Sequence, residues 1–155
     1  MNVAHHISIV GEADLAELLV LMRAYCDFYE VSPPDEQLLA LSRAAIAAPE
    51  TEGVQLIARS AAGSAAGFAS VFWSWDTTEG ARVGIMNDLY VDGAYRGLGL
   101  ADALIAECVS CCERRGAVRL EWQTAPTNER AQAVYSRVGA SREPWIDYSL
   151  IVRAS

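Results

Sequence analysis

A chain of 155 residues, 52% of them hydrophobic, is long enough for one domain with a sizeable core and too short for two comfortable ones. Its 12 Lys and Arg stand against 20 Asp and Glu, a formal net charge of -8 that argues against a nucleic-acid partner and suits either a cationic partner or simple solubility. No apolar run approaches the roughly 18 residues a membrane span needs, and the N-terminus lacks the basic flank and apolar core of a signal peptide, so a cytoplasmic location is expected.

In chain order, "HHISIV" is β-prone and ends at Gly11. From Ala13 to about Tyr29, Leu15, Leu18, Leu19, Met22 and Phe28 recur at helical spacing, which predicts an amphipathic helix. Ser32, Pro33 and Pro34 break it and cap a second helix over Asp35–Ala47, closed by Pro49. "VQLIARS" and "AAGFASVFWSW", separated by small turn-prone residues, predict a hairpin, and "RVGIMNDLYV" the next strand. A helix follows from Leu98 to about Arg114 and ends at Gly116. "AVRLEWQT" reads as a strand, Asn128 to about Val138 as a helix ended by Gly139, and "WIDYSLIV" as a closing strand, with a short additional one near Ser141. The order is β-α-α-β-β-β-α-β-α-β(-β), an α+β arrangement, read as one domain over residues 1–155.

Cys26, Cys108, Cys111 and Cys112 do not form a disulfide framework, because three crowd into one helical segment. Cys108 and Cys111 make a C-x-x-C without a second ligand pair, so buried thiols in a reducing compartment are expected, and no metal. His5 and His6 stand alone near the start.

The informative junction is "NDLYVDGAYRGLGLADALI", where a strand passes through an arginine and two glycines into a helix. Such a turn presents backbone N–H groups at a helix N-terminus, an anion site. The nucleotide P-loop fails here for want of its lysine. The dinucleotide fingerprint comes nearer with Gly97 and Gly99, and Glu121 at a suitable distance, but Asp102 occupies its third glycine position.

"RGLGLA", Arg96 to Ala101, has the spelling Q/R-x-x-G-x-G/A of the acetyl-coenzyme A pyrophosphate loop, and "NERAQAVYSRVGA" the spelling N-x-x-A-x-x-x-Y-x-x-x-G through Asn128, Ala131, Tyr135 and Gly139. In these two motifs, and over nearly its whole length, the chain resembles the GNAT superfamily of N-acetyltransferases, and within it the fungal acetyltransferases of histones, polyamines and D-amino acids and their bacterial relatives. The resemblance implies a twisted mixed sheet whose central strands splay apart around coenzyme A. Leu89, Tyr90 and Val91 would bond the pantetheine through their backbones. Arg96, Gly97, Leu98, Gly99, Leu100, Ala101 and Asp102 would hold the pyrophosphate. Asn128 would contact the coenzyme and Tyr135 protonate the departing thiolate. Arg96 is either a countercharge or a solvated residue at the helix entry; Asn128 and Tyr135 taken in isolation read as a helix cap and a core aromatic, and the two motifs together reverse that reading.

The resemblance further implies transfer of acetyl from acetyl-coenzyme A to a primary amine by direct attack in a ternary complex. The expected acceptor is a small amine, polyamine or amino acid. A lysine or N-terminus on a basic protein is the alternative substrate, and a non-catalytic acyl-coenzyme A sensor the alternative class. Several relatives carry a glutamate where this chain has Asn87, which cannot act as a base but can hold a water or polarise the carbonyl. Asp88 lies beside it, on the other face unless the strand bulges, and Glu121 is a third candidate. Asp27 and Glu30 in "YCDFYE", with Trp73 and Asp76 on the hairpin, are the candidate acceptor-binding residues, and Trp75, Trp145 and Tyr148 join them as aromatics suited to an ammonium group. The apolar tail suits a homodimer.

Overall fold

The structure, a computed structural model, describes residues 5–152. The chain divides into two compact units, one ending at Gln123 and the other beginning at Thr124.

In the first unit five strands form one sheet in the order β1-β2-β3-β4-β5, with β1 at His6–Ile9, β2 at Gly53–Arg59, β3 at Ala65–Asp76, β4 at Ala81–Val91 and β5 at Ala117–Glu121. The first four pair antiparallel and β5 pairs parallel to β4. That parallel pairing requires a crossover, which α3, Leu100–Arg115, provides. Helix α1, Leu15–Phe28, buries Leu15, Leu18, Leu21, Met22 and Cys26. Its apolar stripe packs with Val10, Ile57 and Phe68 in one core cluster. Helix α2, Asp35–Ala47, has the predicted bounds, with Asp35 and Glu36 in its first turn, where carboxylates complement the helix dipole.

Helix α3 covers the opposite face. Successive strand residues point to opposite faces, and a Cβ built on Gly84 of β4 would lie 2.6 Å from Cys112 Sγ of α3, beside Val71 and Trp73. Only glycine admits that approach. Cys26, Cys108, Cys111 and Cys112 are free and buried, as expected, and burial raises the pKa of the last three. No group of His, Cys, Asp and Glu among the described residues is placed to hold a metal ion, and no described helix is long and apolar enough to cross a membrane.

The second unit contains α4, Glu129–Arg137. The expected closing strand is absent: residues 141–152 have no regular secondary structure, and neither "WIDYSLIV" nor the stretch near Ser141 joins a ladder. Alternating apolar residues give strand propensity, but a strand exists only where an edge pairs with it, and Ile146, Tyr148 and Leu150 are instead 77%, 91% and 95% exposed.

Candidate functional site

The site begins where β4 loses β5. Their last register pair is Ile85 with Glu121, so Met86 to Val91 pair with β3 alone among the described strands. The backbone groups on the other edge of Leu89, Tyr90 and Val91 are therefore not consumed by a ladder. Within this stretch Ser70 lies opposite Asp88 while Val71 lies opposite Met86, leaving Asn87 as the extra residue of a β-bulge. The bulge resets the alternation after Asn87 and brings Asp88 to the α1 face, where its carboxylate interacts with Ser70, Tyr25 and Asn87.

After Val91, Asp92 caps a single 3-10 turn, Gly93–Tyr95, by accepting from Ala94 N–H at 2.9 Å. Arg96 then folds back. Its Nε donates to the Val91 carbonyl at 2.9 Å, and its guanidinium lies 5.9 Å from the centre of the Tyr90 ring. Arg96 is thus a clamp on the strand-to-loop turn, a role the sequence did not suggest, and it engages one of the carbonyls expected to face the pantetheine. Gly97 and Gly99 have φ of +77° and +79°, a left-handed conformation that disfavours any Cβ, and a Cβ at either would meet no protein atom within 4 Å. Gly99 is the N-cap of α3, and Leu100 is buried at its first position. The N–H groups of Leu100, Ala101 and Asp102 precede the first helical hydrogen bond, from Ala103 to Gly99. Gly97 to Asp102 therefore run into a helix N-terminus, a place where backbone N–H groups can cradle an anion. Leu98 is 46% exposed on the turn. The exposed β4 edge and this cradle fit the pantetheine and pyrophosphate of coenzyme A.

On the other side, α1 ends in aromatics. Tyr25 packs edge-on against Tyr29, Phe68 and Tyr90 with centroid separations of 5.0, 5.8 and 6.3 Å, and Phe28 lies 5.1 Å from Tyr29. The rings run from buried Phe68 to exposed Phe28. Asp27 and Glu30 flank them, and Glu30 holds φ +56°, uncommon for a residue with a side chain. Tyr25 Oη lies 3.5 Å from the Asn87 carbonyl. Burial and the neighbouring Asp88 raise its pKa, so it remains a phenol, a donor. Burial also raises the Asp88 carboxyl, against the hydrogen bonds of Ser70, Tyr25 and Asn87.

Trp73 and Asp76 are not gathered with these groups. They pair with Gly84 and Ala81, toward the hairpin end of β3 and β4. The Trp73 indole donates to the Pro49 carbonyl at 2.7 Å. Thr78 and Arg119 hold Asp76 down to about 2. Glu121 joins the same network at 3.4 Å from Arg119. Trp75 lies 4.5 Å under Arg82. In the second unit, Asn128 Oδ1 caps α4 by accepting from Ala131 N–H at 3.1 Å, and Tyr135 lies two turns along that helix. Tyr25 escaped the sequence reading as an individual residue, although "YCDFYE" drew attention to its segment. Ser70 gave no signal because a serine in an apolar strand has no motif.

The sequence matches the Acetyltransferase (GNAT) family over residues 18–140. The chain belongs to that family. It is accordingly an acetyl-coenzyme A-dependent N-acetyltransferase. Its fold is similar to that of a probable acetyltransferase, with a TM-score of 0.82 and 25% identity over 97% of this chain and 99% of the other. The aminoglycoside acetyltransferase AAC(6')-Iy, in complex with a bisubstrate analogue of coenzyme A, has the same fold, with a TM-score of 0.83 and 23% identity over 96% and 99% of the two chains. So has the ribosomal-protein-alanine N-acetyltransferase of Brucella melitensis biovar Abortus 2308, with a TM-score of 0.74 and 23% identity over 96% and 100%. Among curated protein sequences, none matches the chain.

Proposed function

We propose that this GNAT acetyltransferase, acting as one domain, transfers acetyl to the primary amine of a small cationic acceptor, an amine, polyamine or amino acid. The observation that carries this reading is the end of α1, where Tyr25, Tyr29 and Phe28 stand with Asp27 and Glu30, close to Asn87 and Asp88 of the bulged strand. Aromatic faces and carboxylates attract an ammonium group and lower the cost of removing it from water. AAC(6')-Iy, a protein of the same fold, is named as an aminoglycoside N-acetyltransferase, which is consistent with this choice. The ribosomal-protein enzyme makes a protein amine the second reading.

Acetyl-coenzyme A supplies the activated acetyl group. Leu89, Tyr90 and Val91 orient the pantetheine through the free edge of β4. The N–H groups of Gly97 to Asp102 hold the pyrophosphate, with Arg96 fixing the turn that presents them. By the motif they share, Asn128 would contact the coenzyme and Tyr135 would give a proton to the departing thiolate. Asp88 takes the proton of the incoming ammonium, because a carboxylate raised by burial binds that proton more readily than an exposed one. Asn87 orients the acceptor or a water beside it. The buried, unpaired thiols suit a cytoplasmic location, and the apolar strip of residues 145–152 suits a homodimer interface.

The test is thiol release from acetyl-coenzyme A with a panel of diamines, polyamines, aminoglycosides, amino acids and basic peptides. Preference for small polycations supports the reading, and turnover confined to peptides overturns it.

A further inference from the structure

A polar row crosses the sheet beneath α1. In register, Gln55 of β2 lies opposite Ser70 of β3, and Ser70 opposite Asp88 of β4. Gln55 and Ser70 are 2% and 0% exposed, amid Val54, Leu56, Phe68, Ala69 and Val71. Gln55 Nε2 donates to Ser70 Oγ at 3.0 Å, and Ser70 bears on the Asp88 carboxylate. The Gln55 carbonyl oxygen has no hydrogen-bond partner among the described residues. Two polar side chains inside an apolar sheet, one incompletely satisfied, stabilise less than apolar residues of the same shape would. Stability therefore does not account for the row. Its direction does. A serine hydroxyl has a single proton, and when an amide N–H donates to its oxygen that proton is left for the acceptor on the other side. Gln55 thus turns the Ser70 hydroxyl toward Asp88, two residues past the last β4–β5 pairing position's neighbour Met86 and beside the bulge.

We propose that Ser70, backed by Gln55, is a positioning residue that keeps the Asp88 carboxylate ionised and aimed so that it can accept the acceptor's proton. This rests on the acetyl-transfer reading above and names the device that makes its base work. The groups around Asp88 are Tyr25 of α1, with Tyr29 beyond it, Ser70 of β3, and Asn87 and Tyr90 of β4; Asp27, Asp92 and Arg96 act on Tyr90 in turn. Burial among these rings favours the neutral acid, which cannot take up a proton. The hydroxyls of Ser70 and Tyr25 and the Asn87 amide oppose it by donating to the charged form. In the step itself one N–H bond of the ammonium breaks and its proton passes to Asp88. The freed lone pair forms the C–N bond to the acetyl carbon as the C–S bond breaks. The second nitrogen proton balances the thiolate as thiol, and Asp88 returns its proton to solvent.

The experiment is the pH profile of kcat/KM with one amine of the panel, together with coenzyme A affinity by calorimetry. Ser70→Ala is expected to move the acid limb upward by roughly one pH unit, Ser70→Cys, a weaker donor, by less, and Gln55→Leu in the same direction, all with unaltered coenzyme A affinity. Asp88→Asn abolishes the limb along with most of the activity. If Ser70→Ala and Gln55→Leu leave the limb of an active enzyme in place, the row is packing and the proposal is wrong. If Asp88→Asn retains the wild-type rate and profile, the base assignment itself fails, and the positioning role with it. Absence of thiol release in the wild-type protein with every amine would instead overturn the acetyl-transfer reading.

Discussion

Arg96 Nε donates to the carbonyl of Val91 across the turn that joins β4 to the glycine loop. One guanidinium thus ties the end of β4 to the start of the glycine loop, where the proposed pantetheine edge meets the proposed anion cradle. Arg96→Ala removes both the hydrogen bond and the contact with Tyr90, and coenzyme A affinity should fall by roughly 10-fold, the worth of a charged hydrogen bond. Arg96→Lys, whose ammonium lacks the planar fork, should recover only part of it. Calorimetric titration with coenzyme A measures both. Equal affinity in all three proteins would mean that the cradle is held without the clamp.

Gly99 has a left-handed φ but open space around its Cβ position. Gly99→Ala should therefore cost about 1–2 kcal/mol of stability from backbone strain without any internal clash. Coenzyme affinity should fall further in Gly99→Val, because the larger side chain crowds the anion that the N–H groups face. Denaturant unfolding and calorimetry separate the two effects. Val at this position with wild-type affinity would remove the loop from the coenzyme site.

Tyr135→Phe keeps the ring and its packing on α4 while removing the hydroxyl. The kcat should drop by roughly 100-fold with coenzyme affinity nearly unchanged, since the proton is needed only as the thiolate departs. A variant that melts early yet turns over normally per folded molecule would make Tyr135 a packing residue.

An acidic protein with Asp27 and Glu30 beside exposed aromatics should attract polycations from a distance. Turnover of a polyamine at subsaturating concentration should then decline with added salt more steeply than coenzyme A binding does. Initial rates between low and physiological ionic strength decide this. A polyamine rate indifferent to salt would place recognition in short-range contacts alone.

Burial pushes the Cys112 thiol up to about 11 and raises Cys108 and Cys111 as well. Their folded pKa values exceed the ordinary 9.0, so the unfolded chain loses these protons first as pH rises. The stability that Cys112 contributes is complete below about pH 9 and is lost as pH rises through about 11. Unfolding free energy measured across this window should decline, and less steeply in Cys112→Ala. A slope equal to that of the parent protein would show that other groups govern the alkaline limb.

Much of this enzyme is written locally. Pro33 and Pro34 start α2 and Pro49 follows its end, Gly116 ends α3, and the two glycines of "RGLGLA" mark the strand-to-helix turn, because caps and left-handed residues act within a few positions of themselves. What depends on strand register was not written there. The bulge at Asn87, which brings Asp88 to Tyr25, and the alignment of Gln55, Ser70 and Asp88 arise only when three strands distant in sequence are laid side by side. The same physics separates β3 from the tail. Strand propensity in β3 found an edge on each side and became ladder, whereas the equally β-prone "WIDYSLIV" carries no ladder at all, because a single strand's backbone groups have no partners of their own.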